Sequence, residues 1–165
     1  MLYYLLLGSN VGDKVAMLTA AANLIEEQIG GIKSRSHLYE TAAWGDKTQP
    51  NYYNQAVCVS SKIAPQDTLK RILSIELQLG RKRDPQNQYA ARTIDIDILM
   101  IDDMVINSPN LTVPHPHLHE RGFALLPLIE IAGEVVHPVL GLELDDVYEQ
   151  CTDDLEVVMV DDDED

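Results

Sequence analysis

A chain of 165 residues, 45% hydrophobic and 24% charged, has the size and balance of one soluble globular domain that buries roughly two-thirds of its unfolded surface, which excludes a fibrous or wholly disordered protein. No apolar run approaches the roughly 20 residues needed to span a bilayer, and the opening MLYYLLLGSN lacks both a basic flank and a small-residue cleavage site, so a cytoplasmic protein without a membrane role is expected. The net charge of −15 argues against a nucleic-acid partner, but it is uneven: residues 141–165 hold 12 acids and no Lys or Arg, leaving 15 acids against 12 bases in residues 1–140.

In chain order, residues 2–8 are an apolar run ending in Gly8-Ser9-Asn10, the pattern of a buried strand followed by a turn. Val15, Leu18, Ala22, Ile25 and Ile29 recur at helical spacing after a capping Asp13, and Gly30-Gly31 end that helix. Residues 32–40 and 53–61 read as strands, separated by the polar stretch WGDKTQPN at 44–51. Pro65 opens a second helix with Leu69, Ile72, Leu73 and Leu77 largely on one side and Gly80 as its stop. The segment TIDIDILMI at 93–101 is the best strand, with Ile94, Ile96 and Ile98 alternating against Asp95 and Asp97.

The order β-α-β-β-α-β predicts an α+β protein with a ferredoxin-like core, an antiparallel sheet carrying both helices on one face. A helix near 117–131, another near 144–150 and a strand at 155–160 are C-terminal additions whose place the pattern does not fix. One domain over 1–160 is expected, followed by a disordered acidic tail, DDDED, at 161–165. Cys58 and Cys151 are far apart and in no metal-binding spacing, so reduced thiols are expected.

The chemistry concentrates in ARTIDIDIL at 91–99. Two residues along a strand span about 6.6 Å and share a face, so Asp95 and Asp97 project together while the isoleucines enter the core. Two carboxylates about 7 Å apart repel by roughly 2 kcal/mol at an effective dielectric near 20, a penalty that a divalent cation removes. Oxygen-only ligands of this kind suit Mg²⁺, which completes its shell with water and phosphates. The plainer alternative is that both acids simply cover a solvated sheet face. Arg81, Lys82, Arg83 and Arg92 make a local basic patch just ahead of the pair, and carboxylates with guanidinium groups are the equipment of phosphoryl transfer.

Gly8 to Lys14 lacks the P-loop spacing, and no G-x-G-x-x-G occurs. His115, His117 and His119 alternate, but Pro114 and Pro116 favour an extended turn into a helix over a zinc site. His115 and Arg121 read either as donors to phosphate oxygens or as solvated residues at a helix start.

Seven motifs in order then carry a resemblance: GSN at 8–10, YET at 39–41, QPNYYNQAV at 49–57, IELQLGR at 75–81, ARTIDIDIL at 91–99, VPHP at 113–116 and ERGFALLPLIEIAGE at 120–134. Together they resemble the hydroxymethyldihydropterin pyrophosphokinase family. The resemblance implies a three-layer α-β-α fold and transfer of pyrophosphate from ATP to a pterin alcohol in folate biosynthesis, with two Mg²⁺ held between the ATP phosphates and Asp95 and Asp97. It further implies catalytic loop arginines at Arg81 and Arg92, and ATP contacts from Arg81, Arg83, Tyr89, Arg92, Ile98, His115 and Arg121. The pterin ring would lie between Tyr52 and Phe123, with Asn54 hydrogen-bonding it and Thr41 and Trp44 lining the pocket. Stacking and a complementary amide are what a planar heteroaromatic needs for affinity and selectivity. The chain departs from the family at Ala90-Ala91, where Gly-Pro is common, at Tyr89, often Trp, and in a loop over 82–87 one residue longer than in some relatives.

A monomer acting on small molecules is the expectation. The rivals are a metal-dependent nuclease using the same aspartates, which the near-neutral body and acidic tail disfavour, and a non-catalytic ferredoxin-like ligand-binding module.

Overall fold

The computed structural model describes residues 1–42, 51–80 and 94–160. In chain order its elements are β1 (Leu2–Ser9), α1 (Lys14–Gln28), β2 (Gly31–Arg35), β3 (Tyr39–Thr41), β4 (Tyr52–Ser60), α2 (Pro65–Gln78), β5 (Asp95–Ile101), β6 (Ile106–Ser108), β7 (Leu111–Val113), a 3-10 turn at Leu118–Glu120, α3 (Gly122–Ala132), α4 (Leu144–Gln150) and β8 (Val157–Met159). The main sheet runs β5-β1-β4-β3-β8, with β2 also on β4, and every pairing in it is antiparallel. β2 and β3 occupy one side of β4 at its two ends, so the second strand expected from the sequence exists but is broken.

The break has a local cause. Ser36 donates its backbone N–H to Ala56 O, and its Oγ accepts the Ala56 N–H, both at 2.9 Å. Residues 36–38 thus span the two-residue step between Ala56 and Gln55, since Arg35 lies opposite Val57 and Tyr39 opposite Asn54. The one extra residue is a bulge, which shifts side-chain parity between β2 and β3.

β1 lies inside the sheet, between β5 and β4, and is apolar on both faces. Tyr3, Leu5 and Leu7 point into one buried cluster with Leu18, Ala22 and Ile25 of α1 and Ile72 and Ile75 of α2. Tyr4 and Leu6 point into a second cluster, with Leu125 and Leu128 of α3 and Leu144 and Val147 of α4. The C-terminal helices therefore close the opposite face, producing three layers. Fully burying each such Leu or Ile is worth about 1.5–3 kcal/mol, and this is what holds the helices to the sheet.

Helix starts follow the expected chemistry. Asp13 accepts the Ala16 N–H at 3.0 Å, and Pro65 occupies the first turn of α2. Not every periodic apolar residue enters the core, however: Val15 is 47% exposed, Leu73 42% and Leu77 70%. The burial stripe of α2 instead runs through Thr68, Ile72, Ile75 and Glu76. The single helix expected near 117–131 is divided, with Arg121 extended between the 3-10 turn and α3. The β6–β7 hairpin, which the sequence pattern did not announce, packs beside β5.

Candidate functional site

Strand register assembles a polar row on the α3 side of the sheet. Asp95 lies opposite Gly8, Gly8 opposite Asn54, and Asn54 opposite Tyr39, so four strands meet at one level. One level away Asp97 faces Leu6, and Tyr52 pairs with Thr41. Because Ile94, Ile96 and Ile98 join the α1–α2 cluster, Asp95 and Asp97 are on the other face, each half-buried. Ile98 is 6% exposed with its side chain in that core, so what it can offer a ligand on the aspartate side is backbone only.

Gly8 leaves space that any side chain would fill. A Cβ there would sit 2.8 Å from Asn54 Oδ1 and 3.6 Å from the Tyr52 ring. Asn54 is 4% exposed, and its Nδ2 is buried without a hydrogen-bond partner among the described residues. A buried amide donor without an acceptor is costly, by about 1–3 kcal/mol, and a ligand acceptor arriving beside Gly8 relieves that cost. Thr41 is buried at 4%, with Oγ1 donating to Ala42 O at 3.4 Å.

The edge strand carrying the aspartates is anchored by a residue the sequence reading passed over. Glu76, 4% exposed on α2, accepts the Ile96 N–H at 2.8 Å, at the residue between Asp95 and Asp97. Its signal was visible: an acid on the apolar face of a helix, one residue after Ile75.

A second wall comes from the turn into α3. His115 donates its backbone N–H to Leu99 O of β5 at 2.9 Å, and its Nδ1 accepts the His117 N–H at 3.1 Å. That fixes Nδ1 as an acceptor and leaves Nε2 as the protonated donor. Burial, then the Arg121 and His117 charges, push the His115 pKa down to about 4, so it is a neutral donor at pH 7. The Arg121 guanidinium lies 5.5 Å from the centroid of the Phe123 ring, within cation–π range. His117 pairs instead with Glu120, Nδ1 to Oε1 at 2.7 Å.

α3, which carries Phe123, is held at both ends. Glu130 accepts from the His37 N–H at 3.1 Å, from the Tyr39 hydroxyl at 2.7 Å, and contacts His37 Nδ1 at 2.8 Å. Burial alone would raise the Glu130 pKa, but the bonds from Tyr39 and His37 outweigh it and hold the carboxyl below its ordinary value. At the other end, Asp153 Oδ2 accepts the Gly122 N–H at 2.9 Å.

The chain matches the family model described as 7,8-dihydro-6-hydroxymethylpterin-pyrophosphokinase over residues 4–133. The chain belongs to the 7,8-dihydro-6-hydroxymethylpterin-pyrophosphokinase family. It is 40% identical over 136 residues to the 2-amino-4-hydroxy-6-hydroxymethyldihydropteridine pyrophosphokinase of Aquifex aeolicus, covering 82% of this chain and 83% of that one. It is 37% identical over 152 residues to the folic acid synthesis protein fol1 of Pneumocystis carinii, covering 91% of this chain but 20% of the relative. The fold is shared with Plasmodium falciparum HPPK-DHPS, at a TM-score of 0.73, 19% identity, 90% of this chain and 44% of that one.

For a pyrophosphokinase-family chain, the fold brings together Asp95, Asp97, Asn54, Tyr52 and Thr41 on one sheet face, and His115, Arg121 and Phe123 on the adjoining turn and helix. Trp44, Arg81, Arg83, Tyr89 and Arg92 lie outside the described residues, as does the segment 161–165. The donor set of Asp95 and Asp97, two half-buried carboxylates on one strand face, fits Mg²⁺, which takes one or two carboxylates and fills the rest of its shell from water and phosphates.

Proposed function

We propose that this chain transfers a pyrophosphoryl group from ATP to 6-hydroxymethyl-7,8-dihydropterin in folate biosynthesis, as a single domain over residues 1–160. The observation that carries the reading is the family match over residues 4–133, which spans every described candidate site residue. The register-built row of Asp95, Gly8 and Asn54 supplies the chemical complement. The nuclease and binding-module readings gain nothing from that match.

In this reading the pterin enters beside Gly8, its flat ring between Tyr52 and Phe123. The Asn54 amide, whose Nδ2 is a buried donor, meets an acceptor on the ring. The hydroxymethyl oxygen attacks the β-phosphorus of ATP in line, the bond from that phosphorus to the α–β bridging oxygen breaks, and AMP leaves with the electron pair. The hydroxyl proton passes to solvent, no side chain being assigned as its base. His115 donates from Nε2 to a phosphate oxygen without adding charge, whereas Arg121 adds one; by family resemblance Arg81, Arg83 and Arg92 are assigned to the phosphates, Tyr89 to ATP and Trp44 to the pterin pocket. Bound at Asp95 and Asp97, two Mg²⁺ ions would neutralise triphosphate charge as it redistributes.

The free thiols at Cys58 and Cys151 favour a reducing, cytoplasmic setting, and among the described residues no helix is long and apolar enough to cross a membrane. A monomer is the proposed state, and sedimentation at working concentration checks it.

The reaction is tested with ATP labelled separately at the β and γ positions. Either label should appear in the pterin product, and the nucleotide product should be AMP. Release of ADP with γ label alone would make the enzyme an ordinary kinase and remove this reading.

A further inference from the structure

The helix that carries Phe123 starts without a cap of its own. Its N-cap residue, Arg121, makes no side-chain capping bond, and the first turn holds no acid. The leading N–H groups of any helix have no partner within it, so something outside must hold this end if Phe123 and Arg121 are to keep a fixed place. Asp153, 31 residues on, does so: Oδ2 accepts the Gly122 N–H at 2.9 Å, while Oδ1 accepts the Leu155 N–H at 3.0 Å. Both carboxylate oxygens are therefore used, one to hold the helix and one to fix the side chain's own turn. A Cβ at Gly122 would lie 3.6 Å from Oδ2, an ordinary contact, so the bond uses the backbone alone and does not depend on glycine.

The same segment reaches the other wall of the pocket. After Leu155 it enters β8, where Val157 lies opposite Thr41 and Met159 opposite Tyr39, and Val160 N–H bonds Leu38 O at 2.8 Å. Thr41 in turn lies opposite Tyr52. Residues 153–159 thus tie the start of α3, carrying one aromatic platform, to the strand pair carrying the other. Glu130 anchors the far end of α3; at the Phe123 end the Asp153 bond adds to the packing of Leu118, Ala124 and Leu125. Asp153, Leu155 and β8 lie beyond residue 133, where the family match stops.

We propose that Asp153 is a positioning residue for the pterin pocket, holding the first turn of α3 through Gly122 so that Phe123 keeps its spacing from Tyr52. The inference rests on the site assignment made above.

The test is a titration with 6-hydroxymethylpterin in the presence of Mg²⁺ and α,β-methylene-ATP, read by pterin fluorescence, with melting temperatures taken alongside. Asp153→Ala should bind the pterin about 5- to 10-fold more weakly, the worth of a helix cap expressed as affinity. Asp153→Asn keeps one acceptor oxygen for Gly122 and should recover at least half of that loss on a logarithmic scale; Asp154→Ala, an exposed neighbour, should bind normally. In a Phe123→Ala background the Asp153→Ala effect should shrink below about twofold, because a residue acting through Phe123 has nothing left to position. Normal binding by Asp153→Ala, or a full, additive loss in the Phe123→Ala background, overturns the proposal. Where Asp153→Ala does not fold, Asp153→Asn carries the same cycle, with an expected loss of about 2- to 3-fold and the same overturning results. If the parent protein itself does not bind the pterin, the site assignment falls, and this inference with it.

Discussion

The two faces of the sheet are made by the same strands and do different work. On the α1–α2 face, Leu5, Leu7, Val57, Val59, Ile96 and Ile98 are buried along the strands' whole length. On the α3–α4 face, apolar packing by Tyr4, Leu6, Cys58, Leu99 and Met100 gives way, towards Gly8, to Asp95, Asn54, Thr41 and Tyr52. Neighbouring residues such as Ile96 and Asp97 are thereby divided between the core and the candidate site by parity alone. The division teaches that this fold can vary its reactive row while its other face holds the structure.

The sharpest way to test that division is to cut the reactive row. Asp95→Ala and Asp97→Ala should each lower kcat by about three orders of magnitude or more while the melting temperature moves by only a few degrees, because these carboxylates lie off the α1–α2 core and, on the proposed reading, hold the metal. Near-normal turnover in either variant would join the two faces again. The opposite cut, Leu7→Ala, opens a cavity under α1 and α2 and should cost about 2–5 kcal/mol in denaturant unfolding, with turnover per folded molecule close to that of the parent. A stability loss with a matching fall in kcat would show that the faces are coupled.

Gly8→Ala probes the seam between them. Its Cβ would sit 2.8 Å from Asn54 Oδ1 and displace the amide, so pterin affinity should fall by about tenfold with little change in ATP affinity. Equal loss for both ligands would place Gly8 elsewhere in the mechanism.

The smallest effect is one of pH. Burial, and then the neighbouring His119, lower the pKa of His137, whose Nδ1 accepts the N–H groups of Val139 and Leu140 at 3.2 and 3.1 Å. The His115 pKa is also lowered, to about 4. Both groups bind fewer protons folded than unfolded, so their contribution to stability is fully present above the unfolded pKa near 6.5 and is lost as pH falls below it. Melting temperature should therefore decline from pH 7.5 to 5. His137→Asn keeps an acceptor near the Nδ1 position and removes the titration, so its decline should be shallower; an unchanged slope would assign the effect to other groups.

Much of this was legible in the sequence because strand alternation and helix spacing are local. Asp95 and Asp97 against Ile94, Ile96 and Ile98 announced both β5 and its two-faced character, and the Asp13 and Pro65 helix starts follow from single residues. What was not legible depends on contacts between distant residues. The break at Ser36 exists because its hydroxyl and amide both engage Ala56 across the sheet. The cap on α3 comes from Asp153, which no window around Gly122 contains. Leu77 satisfied the helical period yet is 70% exposed, because the period names a face without saying how far the neighbouring element extends over it. The role of Gly8 as open space was hidden by its place in a motif read as a turn.

The pairing of β1 with β5 jumps from Tyr4–Met100 to Leu5–Ile98, leaving Leu99 as an extra residue. Because of it, Leu99 and Met100 both join the α3–α4 cluster, and Ile101 returns to the α1–α2 side. Insertions and deletions therefore have unequal consequences along this strand. Removing any one residue from 95–98 reverses the facing of part of the reactive segment and sends a carboxylate towards the core or an isoleucine towards the ligand. Deleting Leu99 leaves Asp95, Asp97, Ile98, Met100 and Ile101 on their present faces, at the expense of the carbonyl that receives the His115 N–H. Deleting Met100 in its place preserves the same faces, so length variation in β5 is best tolerated at the Leu99–Met100 step, just beyond the aspartates.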